Sequence, residues 1–294
     1  MKLDDVDGDD FAIDDRRGRG SSGGLGGISL GRGAKGGIGA LVLAVVAILI
    51  SQAGGGGGGG FDLEDALGAL AGEPAVEQSA PTGVDDGRDA QEQFVGQVGS
   101  LLQRYWSEAF AASGEPFREA SVVVFDQPTD TGGCGVGQPE AGPFYCPASE
   151  QIFIDFGFYG RLEDQLGFGG DFAMAYVLAH EYGHHIQTLL GVDDELQRAQ
   201  ADATSAEANA LSVDFELQAD CLAGVWAHAA YQDRRLEAGD LDEALGAAAA
   251  VGDDAVSGGR TPRESFTHGS SAERREWFTT GFESGDASRC DTFA

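Results

Sequence analysis

Apolar residues recur at helical spacing through Phe94, Val95, Val98, Leu101, Leu102, Tyr105 and Trp106, which predicts an amphipathic helix over about 90–112. Two short apolar runs follow, Ser121 to Phe125 and Gln151 to Phe156, and each reads as a strand. Between them, 127–148 is dominated by Gly, Cys and Pro and predicts a loop. A longer apolar run from Phe172 to Leu190 suits a helix, with Asp171 as its N-cap and Gly191 as its stop. Further helices are predicted over about 203–232, from Asp240 to Val251, and from Ser270 or Ser271 to Phe282. The pattern gives an α+β fold, a small sheet with one central helix and additional helices around it.

The pattern changes before residue 88. Residues 1–35 are Asp-rich, then Arg- and Gly-rich, without apolar periodicity, and read as a disordered cytoplasmic tail. Residues 36–53 are uncharged and apolar, just sufficient for a transmembrane anchor, which takes roughly 17–25 residues. Arg16, Arg17, Arg19, Arg32 and Lys35 precede it, so the N-terminus is expected in the cytoplasm and the rest outside. Ser51-Gln52-Ala53 offers an alternative, cleavage near Ala53 and secretion. Residues 54–87 read as a Gly-rich, acidic linker, with Phe61 to Leu70 a short amphipathic helix within it. The folded domain is expected over 88–294.

Charge narrows the partners. The net charge of −31 excludes nucleic acid, whose phosphates need the opposite sign. The four cysteines form no Cys-x-x-Cys pair, and outside a membrane they read as two disulfides. Cys134 with Cys146 would clip the ends of the loop before the second strand, and Cys221 with Cys290 would pin the C-terminus.

The candidate chemistry lies inside the long apolar run, in Ala179-His180-Glu181-Tyr182-Gly183-His184-His185. On a helix, His180 and His184 project from one face, one turn apart, and can grip one metal ion. Glu181 is rotated off that face, placed to act as a general base on water. A tetrahedral catalytic zinc uses three protein ligands plus water, so one is still needed. Gln187 and Leu190 stand where a metzincin would have Gly and His, which excludes that class. The remaining candidates are Glu195, Glu207, Asp214 and Glu216. Glu216 is preferred because Asp220, four residues on, can accept the free ring N–H of a ligating histidine. His185 and His228 fall outside the ligand geometry. His268, just ahead of the last helix, is placed to stabilise an oxyanion.

These segments resemble the putative neutral zinc metallopeptidase family, through HEYGHHIQ, ELQADCLAGVW, the CG, GPFYCP and IFID segments, FTHGSSAERREWF and CDTF. The resemblance covers about residues 90–294. It implies a membrane-anchored protein with a gluzincin-like catalytic domain, and His180, His184 and Glu216 as ligands of one catalytic zinc, with Glu181 as the base. There is a looser likeness to membrane CAAX-prenyl endopeptidases, in which a Thr-His-Pro segment and a downstream Arg follow the third ligand. Here Gly269 replaces the Pro, and Arg274 holds the Arg position. The expected fold is a zincin, with the 151–156 strand as the sheet edge that a peptide would join. The expected activity is hydrolysis of a peptide or protein substrate outside the cytoplasmic membrane. A tethered module with a structural zinc and a cell-wall peptide amidase are the alternatives.

Overall fold

The architecture comes from a computed structural model, which describes residues 1–18, 88–158, 160 and 170–293. The expected anchor at 36–53 and the linker at 54–87 lie outside the described residues. Among the described residues, no helix is long and apolar enough to cross a membrane.

A four-stranded sheet has the order β1 (Ile13–Asp15), β2 (Ser121–Val124), β6 (Gln151–Ile154), β5 (Phe144–Cys146). The first three strands run parallel, and β5 pairs antiparallel with β6. Both β2 and β6 are apolar at consecutive positions because both faces of the sheet are covered. Val122, Val124, Ile152 and Ile154 join the main core, while Val123, Phe125 and Phe153 form a second cluster with Cys146 and Phe144. The Cys134–Cys146 disulfide closes that second face. The loop expected at 127–148 also carries a hairpin, β3 (Thr129–Asp130) with β4 (Val136–Gly137).

Two expectations are corrected by this sheet. The 151–156 segment is not an edge, because β6 is bonded to β2 and β5; the edges are β1 and β5. Residues 1–18, expected to be disordered, are part of the domain. Ile13, Asp14 and Asp15 lie in register with Val122, Val123 and Val124. Met1, Leu3 and Phe11 are buried in the main core. Composition alone suggested disorder, but three spaced apolar residues and one short strand suffice when a complementary surface waits for them. That surface lies on α1 (Arg88–Ser113). A Cβ on Gly99 would stand 2.4 Å from the Phe11 ring, and one on Gly96 would stand 2.9 Å from the Gly8 carbonyl oxygen.

The helical layer is built on α2 (Asp171–Leu190), which matches the predicted helix and ends at Gly191 with φ 76°. Asp171 is its first residue rather than its cap, and its carboxylate lies 2.5 Å from the Met1 nitrogen. Glu243 on α5 (Asp240–Ala250) caps instead, accepting the Phe172 N–H at 3.1 Å. Asp240 is likewise the first residue of α5, after Gly239. Helix α3 (Val192–Gln200) leads to α4 (Ser205–Gln232), which opens with a Thr204–Glu207 capping box. The short α6 (Asp253–Val256) precedes α7 (Ser271–Ser284), opened by a Ser270–Glu273 capping box.

Glycines set the helix spacing. A Cβ on Gly183 would lie 3.0 Å from the Ala219 carbonyl oxygen, so α2 and α4 touch nearly backbone to backbone. A Cβ on Gly224 would lie 2.1 Å from the Phe278 oxygen, and one on Gly281 2.0 Å from the Cys221 oxygen. Helices α4 and α7 therefore cross closely, and the Cys221–Cys290 disulfide ties down the chain beyond α7.

Candidate metal centre

The close α2–α4 crossing brings three predicted ligands together. His180 Nε2 lies 3.1 Å from one Glu216 oxygen, and His184 Nε2 lies 3.6 Å from the other. Potential ligand atoms of His180, His184 and Glu216 all fall within 4.8 Å of one another. A tetrahedral zinc with bonds of 2.0–2.1 Å holds its ligand atoms about 3.3 Å apart, so spacing and donor types fit that ion.

Both imidazoles are held from behind through Nδ1. His180 Nδ1 lies 2.9 Å from Asp220 Oδ1, as predicted for the carboxylate one turn after Glu216. Asp220 is fully buried and also accepts from Tyr176 Oη and from Arg274 Nε at 2.7 Å and Nη2 at 3.0 Å. Burial pushes the Asp220 carboxyl up, but Arg274 and His180 outweigh it and hold it below the usual range. Burial likewise pushes His180 down, and Asp220 and Glu216 overcome this and raise it to about 10. The Glu216 carboxyl is also lowered despite burial, chiefly by His184 and His180. A cationic charge among these carboxylates is what the arrangement favours. His184 Nδ1 meets Gln187 Oε1 at 2.8 Å.

Glu181 is buried, and burial raises its carboxyl above the ordinary value while His184 and His180 pull it back. His268 follows α6, its Nδ1 3.0 Å from Thr267 Oγ1 and 3.4 Å from Asp253 Oδ1. Asp253 Oδ2 also accepts the backbone N–H groups of Thr267, His268 and Gly269 at 2.8, 2.7 and 3.1 Å. Burial lowers the His268 pKa, but Asp253 and the nearby Glu216 carboxylate raise it overall.

The competing ligands are placed elsewhere. Glu195 is exposed, and Glu207 is used in the α4 cap. Asp214 is absent from the cluster that His180, His184 and Glu216 form. His185 is fully buried between Tyr145 Oη and the Arg118 carbonyl, tying α2 to the sheet, and His228 donates to the Phe282 carbonyl. Asp171, Asp240 and Glu243 form a second carboxylate group, and the Met1 nitrogen lies 2.5 Å from Asp171 and 3.4 Å from Asp240.

Sequence reasoning missed Tyr176, Gln187 and Asp253, and left Arg274 without a role. Helical spacing could have found two of them, since Tyr176 stands one turn before His180 and Gln187 one turn after His184. Arg274 shares the buried face of α7 with Phe278, four residues on. Asp253 carries no such signal.

Two imidazoles and a carboxylate converge from crossing helices, with a buried carboxyl beside the first imidazole, and form a group that could hold a metal ion. The chain belongs to the putative neutral zinc metallopeptidase family, whose sequence profile matches residues 1–293. It is similar to the uncharacterized protein YpfJ of Escherichia coli strain K12, 40% identical over 284 residues, which span 96% of this chain and 95% of that one. It is also similar to the uncharacterized protein Rv2575 of Mycobacterium tuberculosis strain H37Rv, 42% identical over 227 residues, 72% of this chain and 74% of the other. No solved structure matches. The profile reaches residue 1, so the likeness extends beyond the expected 90–294 to the segment that carries β1.

Proposed function

We propose that the chain is a zinc-dependent endopeptidase with a zincin-like catalytic domain. The observation that carries this is the meeting of His180 Nε2 and His184 Nε2 on the two oxygens of Glu216, with Glu181 on the same helical turn. His180, His184 and Glu216 would hold one zinc ion. Zinc, when bound, lowers the pKa of water and polarises a carbonyl.

The chain's own residues supply the remaining steps. Glu181 takes a proton from the water that attacks the scissile carbonyl, and later delivers it to the departing amide nitrogen. Burial suits it to both tasks, because a raised carboxyl pKa makes a better proton carrier near neutrality. His268, whose imidazolium form the Asp253 carboxylate beside it favours, would donate to the oxygen that gains charge. Asp220 and Arg274 hold His180 in place. The substrate is a peptide or protein. The two disulfides support an oxidising compartment for the domain.

The test is zinc content and casein hydrolysis by the full chain beside Glu181→Gln. The reading expects one zinc per chain in both proteins and hydrolysis by the wild type alone. Zinc bound with no peptide hydrolysis would favour a structural zinc, and cleavage of cell-wall peptides alone would favour an amidase. A folded protein that takes up no zinc would overturn the reading.

A further inference from the structure

We infer that Gln187 is a positioning residue for the second metal-binding histidine. The inference rests on reading His180, His184 and Glu216 as ligands, and adds to it a residue that sets the tautomer of His184. Gln187 is fully buried on α2. Its Nε2 donates to the Phe215 carbonyl at 2.8 Å and to Gln218 Oε1 at 3.0 Å. With both amide hydrogens committed to acceptors on α4, its Oε1 can only accept. That oxygen lies 2.8 Å from His184 Nδ1, so Nδ1 carries the proton and Nε2 is left bare toward Glu216.

The clamp has two further parts. The Phe215 ring stacks on the His184 ring, centroids 5.1 Å apart and planes 19° apart, which fixes the ring plane. Gln218 is itself oriented, because its Nε2 donates to the Cys290 carbonyl at 3.0 Å. The two histidines are thus held differently, His180 by a charged carboxylate and His184 by a neutral amide. An amide fixes the tautomer without adding charge to a centre already holding Glu216 and Glu181.

The test compares Gln187→Met with Gln187→Glu in the full chain. Both lose the donors to Phe215 and Gln218, but only the glutamate keeps an acceptor for His184. Zinc affinity by chelator competition should fall roughly 10- to 100-fold in the Met variant and stay near wild type in the Glu variant. The visible spectrum of the cobalt-substituted protein should change only in the Met variant. Equal zinc affinity in the two variants would overturn the inference. If neither variant folds, histidine-ring nitrogen shifts of the zinc-bound wild type decide: Nδ1 protonated supports it, Nδ1 bound to metal sinks it. A wild type that binds no zinc fails at the earlier step and removes the functional reading as well.

A different observation supports a second inference: residues 1–18 and 88–293 lie on the same side of any membrane this protein meets. Strand β1 is bonded to β2, and Phe11 is buried in the core of the domain. A single crossing between Gly18 and Arg88 would leave these partners on opposite faces of a bilayer. Cleavage near Ala53 with loss of the leader would remove β1 altogether. Both layouts expected from the sequence conflict with the pairing of β1 with β2. The test places single cysteines at exposed positions, Asp10→Cys and Arg275→Cys, in the full chain in intact cells. The same labelling by a membrane-impermeant maleimide at both sites, with residues 1–18 retained by mass, is the expected result. Opposite labelling, or a mature protein lacking residues 1–18, overturns the inference.

Discussion

Asp220 and Arg274 are paired at 2.7 Å with both side chains out of solvent, directly behind His180. Truncating one partner leaves the other charge buried and alone, at a cost of about 3–5 kcal/mol. Asp220→Ala should therefore lower stability by that amount in denaturant titration and weaken zinc binding roughly 10- to 100-fold. Replacement of both residues by apolar ones should restore much of the stability but not the zinc affinity. Recovery of both would show that the pair does nothing for His180.

Phe11 is 3% exposed, against the bare α1 surface at Gly99. Phe11→Ala should cost about 3–5 kcal/mol, as for other large-to-small core changes. An unstructured tail would give no change in the unfolding midpoint.

The Asp253–His268 pair sets a pH window. Backbone N–H groups and His268 lower the Asp253 carboxyl against its burial, so its stabilisation is present above its ordinary value of 3.8 and lost as pH falls through the folded value. His268 is raised, so its share is complete below 6.5 and lost as pH rises through its folded value. The stability difference between wild type and Asp253→Asn should be largest between about pH 4 and 6.5 and shrink on either side. Thermal melts of metal-free protein from acid to alkaline pH read this directly, and a flat difference would refute the coupling.

The two disulfides differ in the loops they close. Cys221–Cys290 spans 69 residues and Cys134–Cys146 spans 12. Loop-closure entropy gives about 4 kcal/mol for the first and about 3 kcal/mol for the second. Paired Cys→Ala variants should follow that order in denaturant midpoints. Loss of the first should also loosen the Cys290 carbonyl that orients Gln218 and so weaken zinc binding, whereas loss of the second should not.

How much was legible depends on the range over which each feature acts. Helix spacing carried the His180–His184 pair, and the acid pair at Glu216 and Asp220 pointed to the carboxylate that the fold brings beside them. The apolar runs at Ser121 and Gln151 revealed two strands. Their order could not be read, because an edge strand and an inner one look alike until their neighbours are known; β5, hidden in a Gly- and Pro-rich stretch, covers β6. Strand β1 is three residues of Ile-Asp-Asp, polar by composition, and its pairing is stabilised by a partner far along the chain. Asp253 was unreadable for a similar reason, since its work is done through backbone N–H groups that leave no mark in side-chain spacing.

The parallel pairing of Ile13 with Val122 joins positions about 110 residues apart in sequence, and closing a loop of that length is entropically unfavourable. Strands β2 and β6 lie far closer together in the chain, and α1 precedes β2 directly. Loop-closure entropy thus favours assembly of the inner sheet and its helix first, with β1 docking onto a finished edge. On that argument β1 would dock after the strand it pairs with. Until it does, the edge of β2 stands open to other strands, and a stalled or truncated N-terminus exposes a site for aggregation.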